Sequence, residues 1–286
     1  MIIDKEKLYE RIKNYKFFNL NGESLEKRVG NLNSAIDNSI YKIGNFILKE
    51  QDRIHLAYSG GVDSTIVLTT LINQGFPVTA HTIANKETHP DMAYASKFAS
   101  ELTNSGKNIS HKKYLIKESQ ENRTKANQIL IEEFGEEGRN KSENYYELLN
   151  SIKSETSNLV CCDCIDELLG GYYAHKDPSN LPVYDKTKTL EKNREVALKY
   201  FMNGLIPNHL KILNIFSKHF GINVWLPYGD EKVMRATENF SVNELIDNEN
   251  RKKPVSAIAR IKNIPEAIIN RRKYGLVSAL NQDRKK

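Results

Sequence analysis

The sequence predicts an α/β fold, a doubly wound parallel sheet with a helical N-terminal extension and a helical C-terminal part. Two observations carry this prediction. From residue 54 onward, short apolar runs alternate with longer segments of helical periodicity, as in strands joined by crossover helices. A glycine-rich turn joins the first apolar run to the helical segment after it. At 286 residues, the chain fits one large domain or one domain with an appendage.

The elements divide the chain into three predicted parts. Residues 1–50 are predicted to be polar helices, because apolar residues recur at helical spacing from Leu32 onward, and we expect a lid or buttress. Residues 51–190 are the predicted α/β core, and residues 191–286 are its helical C-terminal part. Residues 121–157 are rich in charge, which predicts an exposed helical excursion without chemistry. In the core we expect strands at 54–58, 77–83, 110–116 and 158–162, and helices at 65–73 and 91–102.

The composition indicates a cytoplasmic protein that binds anions. Lys and Arg number 42 against 36 Asp and Glu, and the formal charge of +6 suits a polyphosphate ligand while permitting nucleic acid. No apolar run approaches the length that spans a bilayer, so we expect no membrane association. The three cysteines all lie between Cys161 and Cys164, which excludes a disulfide framework and favours a reducing compartment.

The turn at residues 59–64, Ser-Gly-Gly-Val-Asp-Ser, predicts a phosphate cradle between a strand and a helix. Two adjacent glycines let the backbone approach an anion, and the amides and dipole of the following helix favour negative charge there. Ser59 and Ser64 add hydroxyl donors, and Asp63 can hold a magnesium ion against the phosphates. The alternative is a turn that only caps the helix. The common P-loop is excluded, because no lysine follows the glycines.

This Ser-Gly-Gly-x-Asp-Ser motif resembles the pyrophosphate loop of the N-type ATP pyrophosphatases, whose fold is adenine nucleotide alpha hydrolase-like. The resemblance implies ATP and Mg²⁺ as cofactors and cleavage of ATP between its α and β phosphates. It also implies that AMP passes to a carboxylate, an amide or a ring carbonyl, which then reacts with a nitrogen or sulfur nucleophile. The residues that it assigns to the departing pyrophosphate are Ser59, Gly60, Gly61, Asp63 and Ser64.

The second strand ends in Thr82, Ile83 and Ala84, beside the predicted loop. A doubly wound fold seats an adenine at this position, where backbone groups of these three residues would bind the base. The alternative, that they are only strand core, has equal weight.

Residues 166–172, Asp-Glu-Leu-Leu-Gly-Gly-Tyr, sharpen the resemblance. They are similar to the D-E-[LVI]-F-G-G-Y segment of class B asparagine synthetases and of the related β-lactam synthetases. In that family the first aspartate binds the magnesium that bridges the ATP phosphates, which implies that Asp166 shares Mg²⁺ with Asp63. The plainer reading is an acidic pair at the start of a helix, where its dipole favours negative charge.

Two further segments resemble the same family in the expected chain order. Residues 221–230 are similar to its G-x-E-x-R-x-P-F-L-D, with Pro227 and Asp230 retained. Residues 265–273 match its P-x-x-[IV]-x-x-R-x-K at identical spacing. The family's lysine neutralises charge on the acyl-adenylate and pyrophosphate, so the resemblance assigns this role to Lys273.

The departures from the family limit the analogy. Asparagine synthetases carry an N-terminal glutaminase domain with a cysteine nucleophile, whereas this chain has Ile2 and few residues before the loop. We therefore expect nitrogen from free ammonia, a separate glutaminase subunit or an amine on the substrate. Asp163 stands where the family has a glutamate that acts on the nucleophile, so Asp163 is the candidate general base. Asn223 and Trp225 replace a charged pair of the family, which argues against an amino-acid substrate.

The cysteines allow a second hypothesis. Several pyrophosphate-loop enzymes move sulfur onto tRNA through a cysteine persulfide or an iron–sulfur cluster, and Cys161, Cys162 and Cys164 lie at the expected reaction centre. The other readings are small apolar filler and a metal site. A third hypothesis is a nucleotide-sensing subunit without turnover, against which the intact Asp63 and Lys273 argue.

The sequence thus predicts an ATP-dependent C–N ligase. We expect it to adenylate a carboxylate or a similar carbonyl oxygen and to form an amide with ammonia or an amine. Its predicted catalytic residues are Asp163, Asp166 and Lys273. The acceptor and any homo-oligomer stay open, and the scattered histidines are interpreted as structural.

Overall fold

The structure is a computed structural model that describes residues 5–117, 119–141, 144–274 and 280. Its centre is one fully parallel five-stranded sheet in the order β3-β2-β1-β4-β5. This order confirms the predicted doubly wound sheet and fits the adenine nucleotide alpha hydrolase-like fold, with a topological switch point between β1 and β4. The strands are β1 (Ile54–Ala57), β2 (Val78–Ala84), β3 (Ile109–Leu115), β4 (Asn158–Val160) and β5 (Asn223–Trp225).

Helices connect and flank these strands, as the alternation predicts. They are α1 (Lys5–Lys13), α2 (Leu25–Ile47), α3 (Val62–Asn73), α4 (Pro90–Asn104), α5 (Gln120–Phe134), α6 (Asn144–Ile152), α7 (Ile165–Leu169), α8 (Tyr173–Lys176), α9 (Leu190–Leu205), α10 (Lys211–Phe220), α11 (Glu231–Thr237), α12 (Val242–Leu245), α13 (Lys253–Ile261) and α14 (Glu266–Ile269). A π-helical segment, Ile206–Leu210, joins α9 to α10. Among the described residues, no helix is both long and apolar enough to cross a membrane.

One expectation about the chain after β3 was wrong. Residues 121–157 are not a purely exposed excursion, because α6 buries Tyr146, Leu148 and Leu149 in the core. The C-terminal part also contributes a strand, β5, whose Val224 lies opposite Leu159 of β4. A three-residue strand has too few positions to show alternation, so the sequence pattern did not reveal it.

Helix α2 supports the core from one side, as its periodicity predicts. It packs against α3, α11 and α13, and its buried apolar residues include Leu32, Ile36, Ile40, Ile43 and Ile47. Asp37 of this helix accepts a hydrogen bond from Lys262 Nζ at 2.5 Å, which fixes the C-terminal part to it. The helix thus acts as a buttress. The boundaries at residues 50 and 190 stay predictions.

Candidate nucleotide-binding site

A cavity of about 430 Å³ opens at the carboxyl ends of β1, β2 and β4. This is the switch point of the sheet, where open α/β folds bind ligands. Its phosphate-loop end comprises residues 59–64 together with Asp166, Lys252, Arg271 and Lys273. Its Asp163 end comprises Asp163 with Tyr145, His209 and the three cysteines.

The phosphate loop has the backbone that its glycines predict. Gly60 has φ of +66°, and a Cβ there would lie 2.5 Å from the backbone nitrogen of Ala95, so the loop packs too closely for any side chain. Helix α3 begins at Val62, and its first amides face the turn. The hydroxyls of Ser59 and Ser64 lie 3.3 Å apart across the loop. These groups lie at the N-terminus of a twelve-residue helix, an arrangement typical of anion-binding sites.

Asp63 and Asp166 are bridged by two lysines. Lys252 Nζ lies 2.6 Å from Asp63 Oδ2 and 2.5 Å from Asp166 Oδ1. Lys273 Nζ contacts Asp166 Oδ2 and lies 3.9 Å from Asp63 Oδ2. The two predicted carboxylates and the predicted lysine therefore meet in one cluster.

The electrostatics of this cluster follow from burial and pairing. Burial raises the pKa of Asp63, but Lys252 and Lys273 overcome this effect and hold that pKa below its ordinary value. Burial lowers the pKa of Lys273, while the charges of Asp63, Asp163 and Asp91 oppose the shift. The Asp63 carboxylate is thus held ionised beside the two lysines.

The donor set suits a magnesium ion. Asp63 and Asp166 supply the carboxylate oxygens that Mg²⁺ prefers, and phosphate oxygens and water usually complete its shell. Asp63 Oδ1 is buried and has no hydrogen-bond partner among the described residues, so an acceptor atom is left over in the cluster. The two ammonium groups already occupy the position of a cation between these carboxylates.

Both glycines of the 166–172 segment, Gly170 and Gly171, have a structural reason. A Cβ at Gly171 would overlap Asp166 Oδ1 and Lys252 Cε. Gly170 ends α7 with φ of +73° in the left-handed region. The pair therefore turns the chain and leaves room for the carboxylate and the lysine side by side.

Arg271 ties the C-terminal part to the phosphate loop. Its Nη2 lies 2.8 Å from Asp91 Oδ1 and donates to the carbonyl of Ser59 at 3.3 Å. Burial raises the pKa of Asp91, and Arg271 opposes that shift. The Nε and Nη1 groups of Arg271 are buried with no described partner. They are donors available to an anion on the loop.

Sequence analysis missed Lys252, Arg251 and Arg271. Lys252 is 6 % exposed and has φ of +50°, but in the sequence it belongs to an ordinary basic stretch. Arg251 donates to the carbonyl of Gly171 and lies 3.7 Å from the ring centre of Tyr173. Only the matched arginine of the 265–273 segment gave a signal for Arg271.

The three residues predicted to bind adenine differ in position. Ile83 lines the cavity. The Thr82 hydroxyl donates to the carbonyl of Tyr58 at 2.6 Å, and the Ala84 carbonyl accepts from the amide of Ile116 at 2.9 Å. Neither Thr82 nor Ala84 is among the lining residues, so their role toward the base stays a prediction.

Asp163 lies at the far end of the cavity with a hydroxyl partner. Tyr145 of α6 donates its phenol to Asp163 Oδ1. Burial raises the pKa of Tyr145, and the Asp163 charge raises it further, so the phenol stays a donor. Burial also lowers the pKa of His209, whereas Asp163 opposes this shift.

The cysteines line the same cavity as thiols. Burial raises the pKa of Cys161, Cys162 and Cys164 well above its usual value, and Asp163 adds to the shift. Within the described ranges, no three histidine, cysteine or acidic side chains converge as metal ligands, so the metal-site reading of the cysteines was wrong for that part of the chain. Cys164 has φ of +83°, where the resembling family has a glycine.

Comparisons with known proteins add little to this geometry. No family model matches the chain, and no curated protein matches it. Among solved structures, it is similar to a predicted subunit of a tRNA methyltransferase from Methanocaldococcus jannaschii, with 15 % identity and a TM-score of 0.28. The match covers 76 % of this chain and 92 % of that one. A likeness this distant carries no functional argument, so the fold assignment rests on the sheet order.

Proposed function

We propose that this chain is an ATP-dependent ligase of the asparagine synthetase type, which adenylates a carboxylate or a similar carbonyl oxygen and forms an amide. The observation that carries the proposal is the cluster of Asp63, Asp166, Lys252 and Lys273 beside the phosphate loop. A loop that cradles phosphates needs only donors. Two carboxylates that share two lysines indicate a site that balances changing negative charge, as in pyrophosphate release.

The residues at the phosphate-loop end have three separate proposed roles. Ser59, Gly60, Gly61 and Ser64 bind the β and γ phosphates through hydroxyls and amides. Asp63 and Asp166 hold Mg²⁺, which supplies Lewis-acid neutralisation of the phosphate charge when bound. Arg271 adds its unpartnered donors to the same anion.

The lysines change partners during the reaction. With nucleotide bound, Lys252 and Lys273 turn from the carboxylates to the phosphates and to the adenylate. Lys273 then stabilises the negative charge that grows on the α phosphate and the carbonyl oxygen as the acyl group is attacked. Its pKa is lowered by burial, yet the surrounding carboxylates oppose the shift, which favours the charged form.

Asp163 is the proposed general base. It lies within electrostatic range of Lys273, so a carbonyl bound between the two residues would face both the base and the charge stabiliser. The nucleophile is ammonia or an amine, either free or supplied by a separate glutaminase subunit. The pairing of Asp163 with Tyr145 orients the carboxylate toward it.

One observation favours a second candidate, a tRNA-modifying sulfurtransferase, because all three cysteines line the cavity. Their raised pKa values argue against it, since the thiolate is the form that carries sulfur. A nucleotide sensor without turnover is the third reading.

ATP–pyrophosphate exchange under anaerobic conditions tests the proposal. We expect exchange with a pool of small carboxylates, and loss of exchange in Asp166→Asn. Exchange only with total tRNA would contradict the ligase and favour the second candidate. ATP binding without exchange under either condition would leave the sensor.

A further inference from the structure

The Asp163 end of the cavity is built differently from the rest of the site. Every lysine and arginine among the described lining residues lies at the other end, against the phosphate loop, Asp91, Asp166 or Gly171. At this end the Asp163 carboxylate lies within electrostatic range of Glu167, whose pKa burial raises to about 7, and of Lys273, which is paired with Asp166. A ligand there therefore brings a positive charge or hydrogen-bond donors, rather than a carboxylate or phosphate of its own.

The walls of this end are apolar as well as polar. Leu148 lies one turn after Tyr145 on α6 and lines the cavity, as do the buried side chains of Cys161 and Cys164. Apolar walls of this kind bind the hydrocarbon part of a ligand. A bare ammonium ion has no such part, so the walls favour an organic amine.

His209 reaches this end from an unusual backbone. It belongs to the π-helical segment between α9 and α10, and segments of this type are frequent at functional sites. The next residue back, Asn208, is exposed and accepts a hydrogen bond from Lys141 Nζ at 3.2 Å, which anchors the segment at the cavity rim. His209 itself lines the cavity and interacts with the charge of Asp163.

The geometry points to an amine subsite, in which Asp163 binds the ammonium group of a primary organic amine and His209 accepts the proton that this amine loses before attack. This inference rests on the proposed function, because it names the nucleophile of that reaction. Tyr145 is a positioning residue, since it acts through Asp163.

The chemistry balances with these groups. The ammonium group gives one proton to His209 and becomes a neutral amine. Its nitrogen lone pair attacks the carbonyl carbon of the acyl-adenylate, the C–N bond forms, and the bond from that carbon to the phosphate oxygen breaks with release of AMP. The second nitrogen-bound proton passes to Asp163 and then to water.

The test separates adenylation from amide formation. Pyrophosphate exchange, with whichever carboxylate supports it in the wild type, reports adenylation without any amine. AMP release on addition of benzylamine, ammonium chloride or hydroxylamine reports the attack. Hydroxylamine is unprotonated at neutral pH because it is far less basic than an alkyl amine, so it needs no proton acceptor before attack.

We expect wild-type AMP release to be faster with benzylamine than with ammonium chloride. His209→Asn should keep pyrophosphate exchange and hydroxylamine attack within about threefold, while losing benzylamine attack by about 10²-fold. His219→Asn, at an exposed histidine of α10 outside the cavity, should match the wild type in all assays. Leu148→Trp, a second variant, should block benzylamine and spare hydroxylamine.

Three results would overturn the subsite alone. They are normal exchange with ammonium preferred over benzylamine, equal loss of both nucleophiles in His209→Asn, and unimpeded benzylamine attack in Leu148→Trp. Absence of wild-type exchange with any carboxylate would instead overturn the proposed function, and the subsite with it.

Discussion

The phosphate-loop end and the Asp163 end of the cavity organise charge in opposite ways. At the first, Lys252 and Lys273 lie between Asp63 and Asp166, so opposite charges are already paired before any ligand arrives. At the second, Asp163 accepts a hydrogen bond from Tyr145 and faces His209, while the cation nearest in electrostatic effect, Lys273, is paired with Asp166. In the proposed reaction, the phosphate-loop end would exchange its internal ion pairs for phosphates, whereas the Asp163 end would select the nucleophile.

Removing one positive charge from the phosphate-loop end is the strongest test of this difference between the two ends. Lys252→Met should lower pyrophosphate exchange by on the order of 10²–10³-fold, because both carboxylates lose their shared cation and the phosphates lose a partner. Lys253→Met is the matched control, since that neighbour points to solvent and pairs with Asp247 at 3.2 Å. Equal losses in the two variants would contradict the cluster.

A change without charge should disturb the same cluster less. Gly171→Ala adds a methyl group that overlaps Asp166 and Lys252, so one of them must move. We expect exchange to fall by at least about 10-fold, since displacements near 1 Å are costly in a reacting site. Gly30→Ala, in the middle of α2 with nothing within 4 Å of the new methyl, should keep activity and gain about 0.5–1 kcal/mol in stability. An unaffected Gly171→Ala enzyme would show that the packing is looser than the structure indicates.

Acid should destabilise the fold through buried histidines of the sheet. His81 hydrogen-bonds His55 at 2.7 Å, and burial, with His55 and Lys112 adding to it, lowers the pKa of His81 to about 3. The unfolded chain therefore takes up a proton below about pH 6.5 that the folded chain refuses, and stability falls as the pH falls from there. His111, with its pKa lowered by burial to about 4, adds to the trend.

Urea unfolding at pH 7.5 and pH 5 measures this effect. The wild type should lose on the order of 2 kcal/mol between these values through His81, and His81→Gln should lose correspondingly less. His219→Gln, at an exposed position, should keep the wild-type difference. A steeper loss in His81→Gln would contradict the sign of the argument.

Replacing the three cysteines tests whether the Asp163 end uses thiol chemistry. Replacing Cys161, Cys162 and Cys164 with alanine should change carboxylate-dependent exchange by less than about threefold, because burial keeps these thiols protonated. Mass spectrometry of the purified wild type should show no persulfide. Loss of exchange in a triple variant with a wild-type melting temperature would revive the sulfurtransferase.

The smallest expected effect concerns backbone strain. Cys164→Gly should cost less than about 1 kcal/mol in unfolding free energy, because relief of φ of +83° offsets the lost burial. Cys161→Gly has no such compensation and should cost more. Reversal of this order in urea unfolding would place the strain elsewhere.

The sequence predicted the residues of the phosphate-loop end better than those of the Asp163 end. The loop around Asp63 carries its own signature, because a strand, two glycines and a helix follow one another in sequence. Lys273 was predicted through the resemblance of residues 265–273 to a segment of the asparagine synthetase family. Lys252 was not found, because 189 residues separate it from Asp63 and nothing in a basic stretch marks the buried lysine.

The residues of the Asp163 end were harder to predict from the sequence. Asp163 was predicted from its place in a motif, but its partner Tyr145 lies in a segment that was interpreted as exposed. His209 depends on a π-helical segment, which has no apolar periodicity of its own. Pro207 inside an otherwise helical pattern was the one local sign of that interruption.

The position of Lys252 and Lys273 between Asp63 and Asp166 bears on the order in which ligands bind. Lys252 and Lys273 act as built-in counterions, so the free protein has little electrostatic demand for a divalent metal. A metal ion alone must displace two ammonium groups that have nowhere else to go. In the proposed reaction, nucleotide phosphates would give those groups a new anion and metal and nucleotide would enter as one complex, so calorimetric titration with magnesium chloride alone should give almost no heat.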